Sequence, residues 1–405
     1  MIRSLFVLVF CCTFSTVLAQ GGGLLLYEVG SSGIGNAYAG QSAISEDAST
    51  AYLNPAAMGQ VEDETVLIGL QAVFTTIDYL GDNGATADAG GITPMFGFYW
   101  IKHLNEKWSI GTTVNIPMGS GFNYGEDWDG RYYVESALLA VTNIAPTVSY
   151  NFSDKFSVGA AVNLYLGLLE EELALKPINP LSRTDGQAKL SGLNFNVGFQ
   201  LGLHFRPNEL TAIGLTYRYQ SKIDFNGNAD ISNWLGQNGD QVTSLPFTTE
   251  MIIPHGLNLS VARQMGSLEL LMDVGYTDWS AFVNQPIVLN DDIDAALHRN
   301  WQDTYRIGVG VNKKMKNNFT GRLGFSYDSD PIRENEMSPD MPVGEAFRFA
   351  TGFSKKTEKN NSYSIGFTYL LSEGQNIDLS SPLQGDLQGG YDNLGLFVIG
   401  LSYGF

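Results

Sequence analysis
Past residue 12 the chain contains no cysteine. Cys11 and Cys12 both fall in an N-terminal stretch built like a secretory signal: Arg3 in a charged n-region, Ser4 to Thr16 as the apolar h-region, and Val17-Leu18-Ala19 as a small-residue cleavage site. The exported chain, starting near Gln20, then has no disulfide available to it. Long apolar runs are missing as well. No later stretch approaches the ~18 to 20 continuous apolar residues of a membrane helix, so an exported chain of this kind is either soluble or a barrel. Positive charge is scarce, with 23 Lys and Arg against 42 Asp and Glu and a net charge of −19, which excludes a nucleic-acid partner that must be held by clustered cations. The four histidines, His103, His204, His255 and His298, are dispersed without metal-ligand or haem-clamp spacing. No nucleophile and base pair can be nominated either. The expectation is no enzyme, no metal and no cofactor.

What the chain does have is 46 glycines, 12% aromatics and only 16% charged residues. Apolar and polar residues alternate with period two, as a pleated strand requires. In the last run Phe397, Ile399, Leu401, Tyr403 and Phe405 share one face, and Val398, Gly400, Ser402 and Gly404 share the other. Such runs recur near 65–80, 93–104, 108–120, 135–152, 156–175, 187–206, 210–231, 248–264, 268–282, 303–314, 318–329, 345–355, 362–374 and 392–405. Their connections alternate between short turns, such as Ser153-Asp154-Lys155, and loops of roughly ten to twenty residues, the pattern of outer-membrane barrels. The expected fold is all-β: a 14-stranded antiparallel transmembrane β-barrel over 65–405, a hatch or plug inside its lumen over 20–64, and a signal peptide over 1–19.

Acidic residues gather in the long loops (Asp127, Asp129, Asp291, Asp292, Asp294, Asp330, Glu334, Glu336, Asp340), whereas Lys313, Lys314, Lys316, Lys355, Lys356 and Lys359 gather at short turns. The acidic loops read as solvated surface, and Asp291, Asp292 and Asp294 lack the glycine turn and distal Glu of a calcium-binding hand. Arg218, Arg306, Arg322 and Arg348 sit on the inward faces of their strands. They either pair with acidic plug residues such as Glu46 and Asp47, which offsets the cost of burying charge, or meet an anionic ligand head group. Pro117 and Gly119 interrupt the third strand and either end it or open a gap beside it; Pro254 marks a bulge or edge in the eighth. The loop aromatics Phe122, Tyr124, Trp128, Tyr132, Tyr133 and Trp234 either capture an apolar ligand or form an interfacial girdle.

Several motifs recur in a specific order: Ser31-Ser32-Gly33-Ile34-Gly35-Asn36-Ala37-Tyr38-Ala39-Gly40, Asp47-Ala48-Ser49, Asn54-Pro55-Ala56, Tyr276-Thr277-Asp278-Trp279-Ser280-Ala281-Phe282, Asp303-Thr304-Tyr305-Arg306-Ile307-Gly308 and Tyr327-Asp328-Ser329-Asp330-Pro331. With them the chain resembles the FadL/TodX-like outer-membrane transporters of long-chain fatty acids and aromatic hydrocarbons, over nearly its whole mature length. The resemblance implies a hatch carrying the Asn-Pro-Ala turn, with Gly33, Gly35, Glu46, Asp47, Asn54, Pro55 and Ala56 as hatch residues. It also implies a kinked third strand, at Pro117 and Gly119, through which hydrophobic ligand leaves sideways into the membrane.

The expected function is therefore passive uptake of a hydrophobic small molecule by a monomer in the outer membrane of a Gram-negative bacterium, with outer-membrane lipid around it. The acidic outer loops oppose steering of a free anion, which keeps uncharged hydrocarbons open as ligands. The rival reading is a structural or partner-binding barrel, an export-system adaptor with a sealed lumen.

Overall fold
The computed structural model describes residues 20–21, 23–27, 29, 32–62, 65–177, 184–233, 242–290, 293–333, 336–372 and 374–405. The signal peptide, Trp234, Asp291, Asp292, Glu334 and the side chain of Asp294 lie outside the described residues.

Fourteen wall strands follow one another. They are β1 (Thr65–Gly81), β2 (Gly91–His103), β3 (Trp108–Asn123), β4 (Ser136–Ser153), β5 (Phe156–Leu175) and β6 (Gly186–Asn208). Next come β7, in two segments (Thr211–Arg218 and Ser221–Ser232), and β8, also in two (Val242–Ile253 and Gly256–Met265). The last six are β9 (Leu268–Thr277), β10 (Thr304–Lys314), β11 (Phe319–Asp328), β12 (Ala346–Lys356), β13 (Ser362–Ser372) and β14 (Gly385–Gly404). Each pairs antiparallel with the next, and β14 returns to β1 through pairs such as Leu70↔Leu401 and Phe74↔Phe397. The result is a closed 14-stranded antiparallel barrel.

Alternation decides what each face meets. On β6 the row Leu193, Phe195, Val197, Phe199, Leu201, Leu203 and Phe205 is exposed, while Gln200 and His204 between them are buried. A continuous apolar outer row is what a hydrocarbon surrounding requires, and the buried polar row is served from inside.

The sequence-based boundaries hold within a few residues for most strands and fail where the ladder is interrupted. The runs expected as single strands over 210–231 and 248–264 are each broken, at Tyr219-Gln220 and at Pro254-His255, where proline supplies no ladder donor. The run expected over 268–282 stops at Thr277, and Trp279 and Phe282 turn inward against Trp301, with ring centroids 4.9 and 5.3 Å apart. Within the long loop expected over 283–302 lies a further hairpin, Asn284–Leu289 with Ile293–His298, which pairs with the outer half of β8. The final strand starts at Gly385 rather than near 392.

Residues 32–62 are packed against the inward faces of the wall. They form three short turns of helix, Ser32–Asn36, Thr50–Leu53 and Pro55–Gln60. Wall glycines let this segment approach backbone to backbone: a Cβ added to Gly352 of β12 would fall 2.8 Å from Gly35 Cα, and one on Gly366 of β13 would fall 2.9 Å from Ile34 Cβ.

Candidate functional site
The third strand leaves the wall where its sequence carries Ile116-Pro117. Its register with β2 runs only from His103↔Ser109 to Phe98↔Val114, so Gly91–Gly97 of β2 continue upward without β3 alongside. Toward β4 the register slips between Asn115 and Met118. Inside–outside alternation stops at the same place, and all six residues from Pro117 to Phe122 are buried. A strand that turns into the lumen has protein on both sides, a setting in which irregular backbone is tolerated at membrane depth.

The inner side of this departure is occupied by Leu24, Leu25 and Leu26. Leu26 N donates to Pro117 O at 2.9 Å, Gly119 N donates to Leu24 O at 3.1 Å, and Leu25 faces Met118 as an isolated antiparallel bridge. All three leucines are buried. The Asn54-Pro55-Ala56 turn lies apart from this departure, against β5 and β6. Asn54 Oδ1 accepts from Ala56 N at 3.0 Å, and its Nδ2 donates to Ser42 O at 2.6 Å and to Leu203 O of β6 at 3.1 Å. Ser157 of β5 donates to Ala56 O at 2.7 Å, and glycines at 159 and 202 leave room for the turn. Pro55 opens the last helical turn at a position where a missing N–H costs nothing.

The inward arginines divide into two groups. Arg306 is within 3.3 Å of Asp273 and 3.1 Å of Asp328, and Arg348 pairs with the same Asp328 carboxylate. Both guanidinium groups lie over the Tyr27 ring, at 4.2 and 4.9 Å from its centroid. Asp273 also accepts from Gly40 N at 3.2 Å, so wall and inner segment share one charge network. Arg322 reaches Glu46 at 2.6 Å, and Asn312 donates to Glu46 and Glu269 at 3.3 and 2.9 Å. Glu46 thus accounts for Arg322, Asp47 instead accepts from Ser32 and Ser49, and among the described residues wall aspartates pair with Arg306 and Arg348.

Arg218 differs. Its Nε donates to Pro254 O at 3.5 Å, and among the described residues no carboxylate stands within ion-pair distance of it. It lines a luminal cavity of about 100 Å³ together with Leu26, Tyr27, Leu53, Pro117 and Gln200. The cavity therefore joins the β3 departure to the one untied inward arginine of the four. Sites that enclose a drug-sized ligand measure about 300–1,000 Å³, so this cavity is too small to enclose one. Below it, at the short-turn end, opens a larger polar vestibule of about 610 Å³ lined by Glu46, Glu62, Arg206, Glu269 and Arg322.

At the long-loop end three of the aromatic residues form a buried layer. Phe122, Tyr124 and Trp128 are 1%, 8% and 4% exposed. Tyr124 stacks on Trp128 at 4.1 Å, Trp128 meets Tyr79 edge-on at 5.5 Å, and Tyr124 shares a 2.6 Å hydrogen bond with Tyr391. Edge-on and offset ring pairs of this kind close a loop layer tightly. Tyr132 and Tyr133 are half-buried, held by Asp185 at 2.8 Å and Gly385 O at 2.7 Å. Beside them Arg299 binds Asp340; burial acts to raise that carboxyl, and the guanidinium outweighs it and holds Asp340 below the usual range. The four histidines bond separately, to Ser109 and Val61, to Ala43, to Tyr217, and to Asn284.

Comparison with known proteins adds a further observation. A family model described as outer membrane protein transport protein (OMPP1/FadL/TodX) matches residues 12–405. A long-chain fatty acid transport protein of Escherichia coli O6:H1 is 25% identical, over 89% of this chain and 88% of that protein. Outer membrane protein P1 of Haemophilus influenzae is 24% identical, over 87% and 88%. Among solved structures, a Pseudomonas aeruginosa FadL homologue superposes with a TM-score of 0.86 at 19% identity, covering 95% of this chain and 99% of that one. The Pseudomonas putida toluene transporter TodX superposes with 0.71 at 18%, covering 96% and 99%.

Proposed function
Since this chain belongs to the outer membrane protein transport protein family (OMPP1/FadL/TodX), we propose that it admits hydrophobic small molecules, long-chain fatty acids or aromatic hydrocarbons, by passive uptake through a side gap in its wall. The ligand parts the aromatic layer of Phe122, Tyr124 and Trp128, enters the lumen above residues 32–62, and leaves between β2 and β3 into the membrane. Residues 20–64 act as the hatch. Leu24–Leu26 are its movable part, because two backbone hydrogen bonds and one bridge to β3 hold them.

The observation that carries this reading is the continuity of the β3 departure, its leucine stopper and the cavity at Arg218. An apolar ligand that replaces three leucine side chains keeps the same area out of water, so exchange costs little in burial. The guanidinium of Arg218 favours a carboxylate over a neutral hydrocarbon, because a charge-assisted hydrogen bond awaits an acceptor there. The acidic outer loops slow the approach of that anion without weakening its hold inside.

The test uses liposomes carrying the protein and a Leu25→Cys, Met118→Cys pair. These two residues form a non-hydrogen-bonded antiparallel pair, the arrangement whose close Cα approach suits a disulfide. Oxidation is expected to stop fatty-acid uptake and reduction to restore it. Uptake that continues through the oxidised protein would rule out exit past Leu24–Leu26, and no uptake by the unmodified protein would favour the sealed-barrel reading.

A further inference from the structure
Six of the twelve lysines of this acidic chain, Lys313, Lys314, Lys316, Lys355, Lys356 and Lys359, lie at two neighbouring short turns, β10 to β11 and β12 to β13. All six are exposed. The carboxylates beside them are Glu62, which pairs with Lys356 at 2.8 Å, Glu358, and on the luminal side Glu269, within electrostatic reach of Lys314. Nothing in the transport path uses this cluster.

Directly above it the outer wall carries an apolar groove of about 470 Å³, lined by Ile68, Leu70, Phe353, Ile365, Leu401 and Tyr403 among others. Register explains its form. Across the strands one row reads Phe319, Lys355, Tyr363, Tyr403, Ile68, and the row above it reads Gly321, Phe353, Ile365, Leu401, Leu70. The lower row is an aromatic rim with a single cation in it, and Lys355 Nζ sits 4.9 Å from the Phe319 ring centroid. Lys313 enters the same neighbourhood opposite Gly321.

We propose that this face is a binding site for an anionic phospholipid of the periplasmic leaflet. One acyl chain lies in the groove over Phe353, Ile365 and Leu401, and the head-group phosphate meets Lys355 and Lys313 at the rim. Any barrel touches lipid all round, but uniform contact needs neither a dent of this size nor half of the lysines on one arc. Lysine stems run along apolar surface while their ammonium groups reach the interface, which is the geometry a phosphate at head-group depth requires. Each such cation contributes attraction to an anionic lipid near the surface. The site stands on the outside of the wall and is independent of the transport reading.

Native mass spectrometry of the full exported chain in detergent, loaded with equal amounts of phosphatidylglycerol and phosphatidylethanolamine of matched acyl chains, tests it. Phosphatidylglycerol is expected to be retained about fivefold over phosphatidylethanolamine, the order of one lysine's attraction. Lys313→Gln with Lys355→Gln should bring the two lipids to parity, and Lys313→Arg with Lys355→Arg should keep the preference, which separates lost charge from lost folding. Ile365→Trp, which fills the groove, should release both lipids. Parity in the unmodified protein, or a preference that survives removal of both lysines, overturns the proposal. Full competition by soluble glycerol phosphate would overturn the acyl-chain half of it.

Discussion
Two walls of the same lumen treat their arginines in opposite ways. On the side of β9 to β12, Arg306 and Arg348 converge on Asp328, Asp273 also pairs with Arg306, and the Tyr27 ring covers both guanidinium groups. On the side of β6 to β8, Arg218 faces a cavity, and its Nε donates to a backbone carbonyl at 3.5 Å. Taking a charge out of water is tolerated when a counter-charge and hydrogen bonds replace the water. The first wall meets that condition from within and therefore locks residues 32–62 to the barrel. The second meets it, among the described residues, only with a backbone carbonyl.

The sharpest way to break this contrast is to remove the shared carboxylate. Asp328→Asn removes the carboxylate that Arg306 and Arg348 share, and breaking a buried pair of this kind costs about 3–5 kcal/mol. Thermal unfolding in detergent should move down accordingly, further than for any substitution at Arg218 or in the outer loops. Unchanged stability would mean that the network is not what fastens the inner segment. On the other wall, Arg218→Gln should leave unfolding nearly unchanged and lower uptake of a long-chain fatty acid by about tenfold, the lower end of what a hydrogen bond to a charged group contributes. Toluene uptake should stay level in the same liposomes. Equal losses for both ligands would assign Arg218 a structural role and remove the case for a carboxylate.

Much of the barrel was legible because period-two alternation and the rhythm of short and long connections are local signals. Arg322 with Glu46 could also be named, since one inward arginine and one acidic hatch residue suffice for the guess. Asp273 and Asp328 could not. They lie in the polar half of ordinary alternating runs, and they become counter-ions only when strands β9, β10, β11 and β12 fall into register. Leu24–Leu26 escaped for a related reason. A leucine triplet just after a signal peptide reads as an extension of its apolar stretch, and its pairing with Pro117–Gly119 joins segments far apart in the chain. The aromatic layer depends on Tyr79 and Tyr391, from opposite ends of the sequence, meeting Tyr124 and Trp128. No composition count separates such a layer from a girdle.

The contrast between tied and untied charge recurs in the outer loops, where Asp340 has Arg299 as its counter-ion and Asp330 is half-buried among neutral donors. Ile332 N donates to Asp330 at 2.8 Å, and Gln375 supplies a side-chain bond. Burial is the main cause that pushes its carboxyl up, to about 6, and Glu345 adds to it. The folded carboxyl thus takes up a proton before the unfolded one does, whose ordinary value is about 3.9. The contribution of Asp330 to stability should therefore rise as pH falls from 7 through about 6 toward 4. Asp340 acts in the opposite sense, because its carboxyl is held low and protonating it at still lower pH discards the Arg299 contact. Hydrogen exchange of residues 329–333 is the measurement to follow, because the effect is local and smaller than either substitution above. Protection there should increase between pH 7 and pH 5, and Asp330→Asn should hold it at the higher level throughout. A loop that instead loosens over that range would mean that Asp330 is held by a cation after all, and the difference between the two aspartates would vanish.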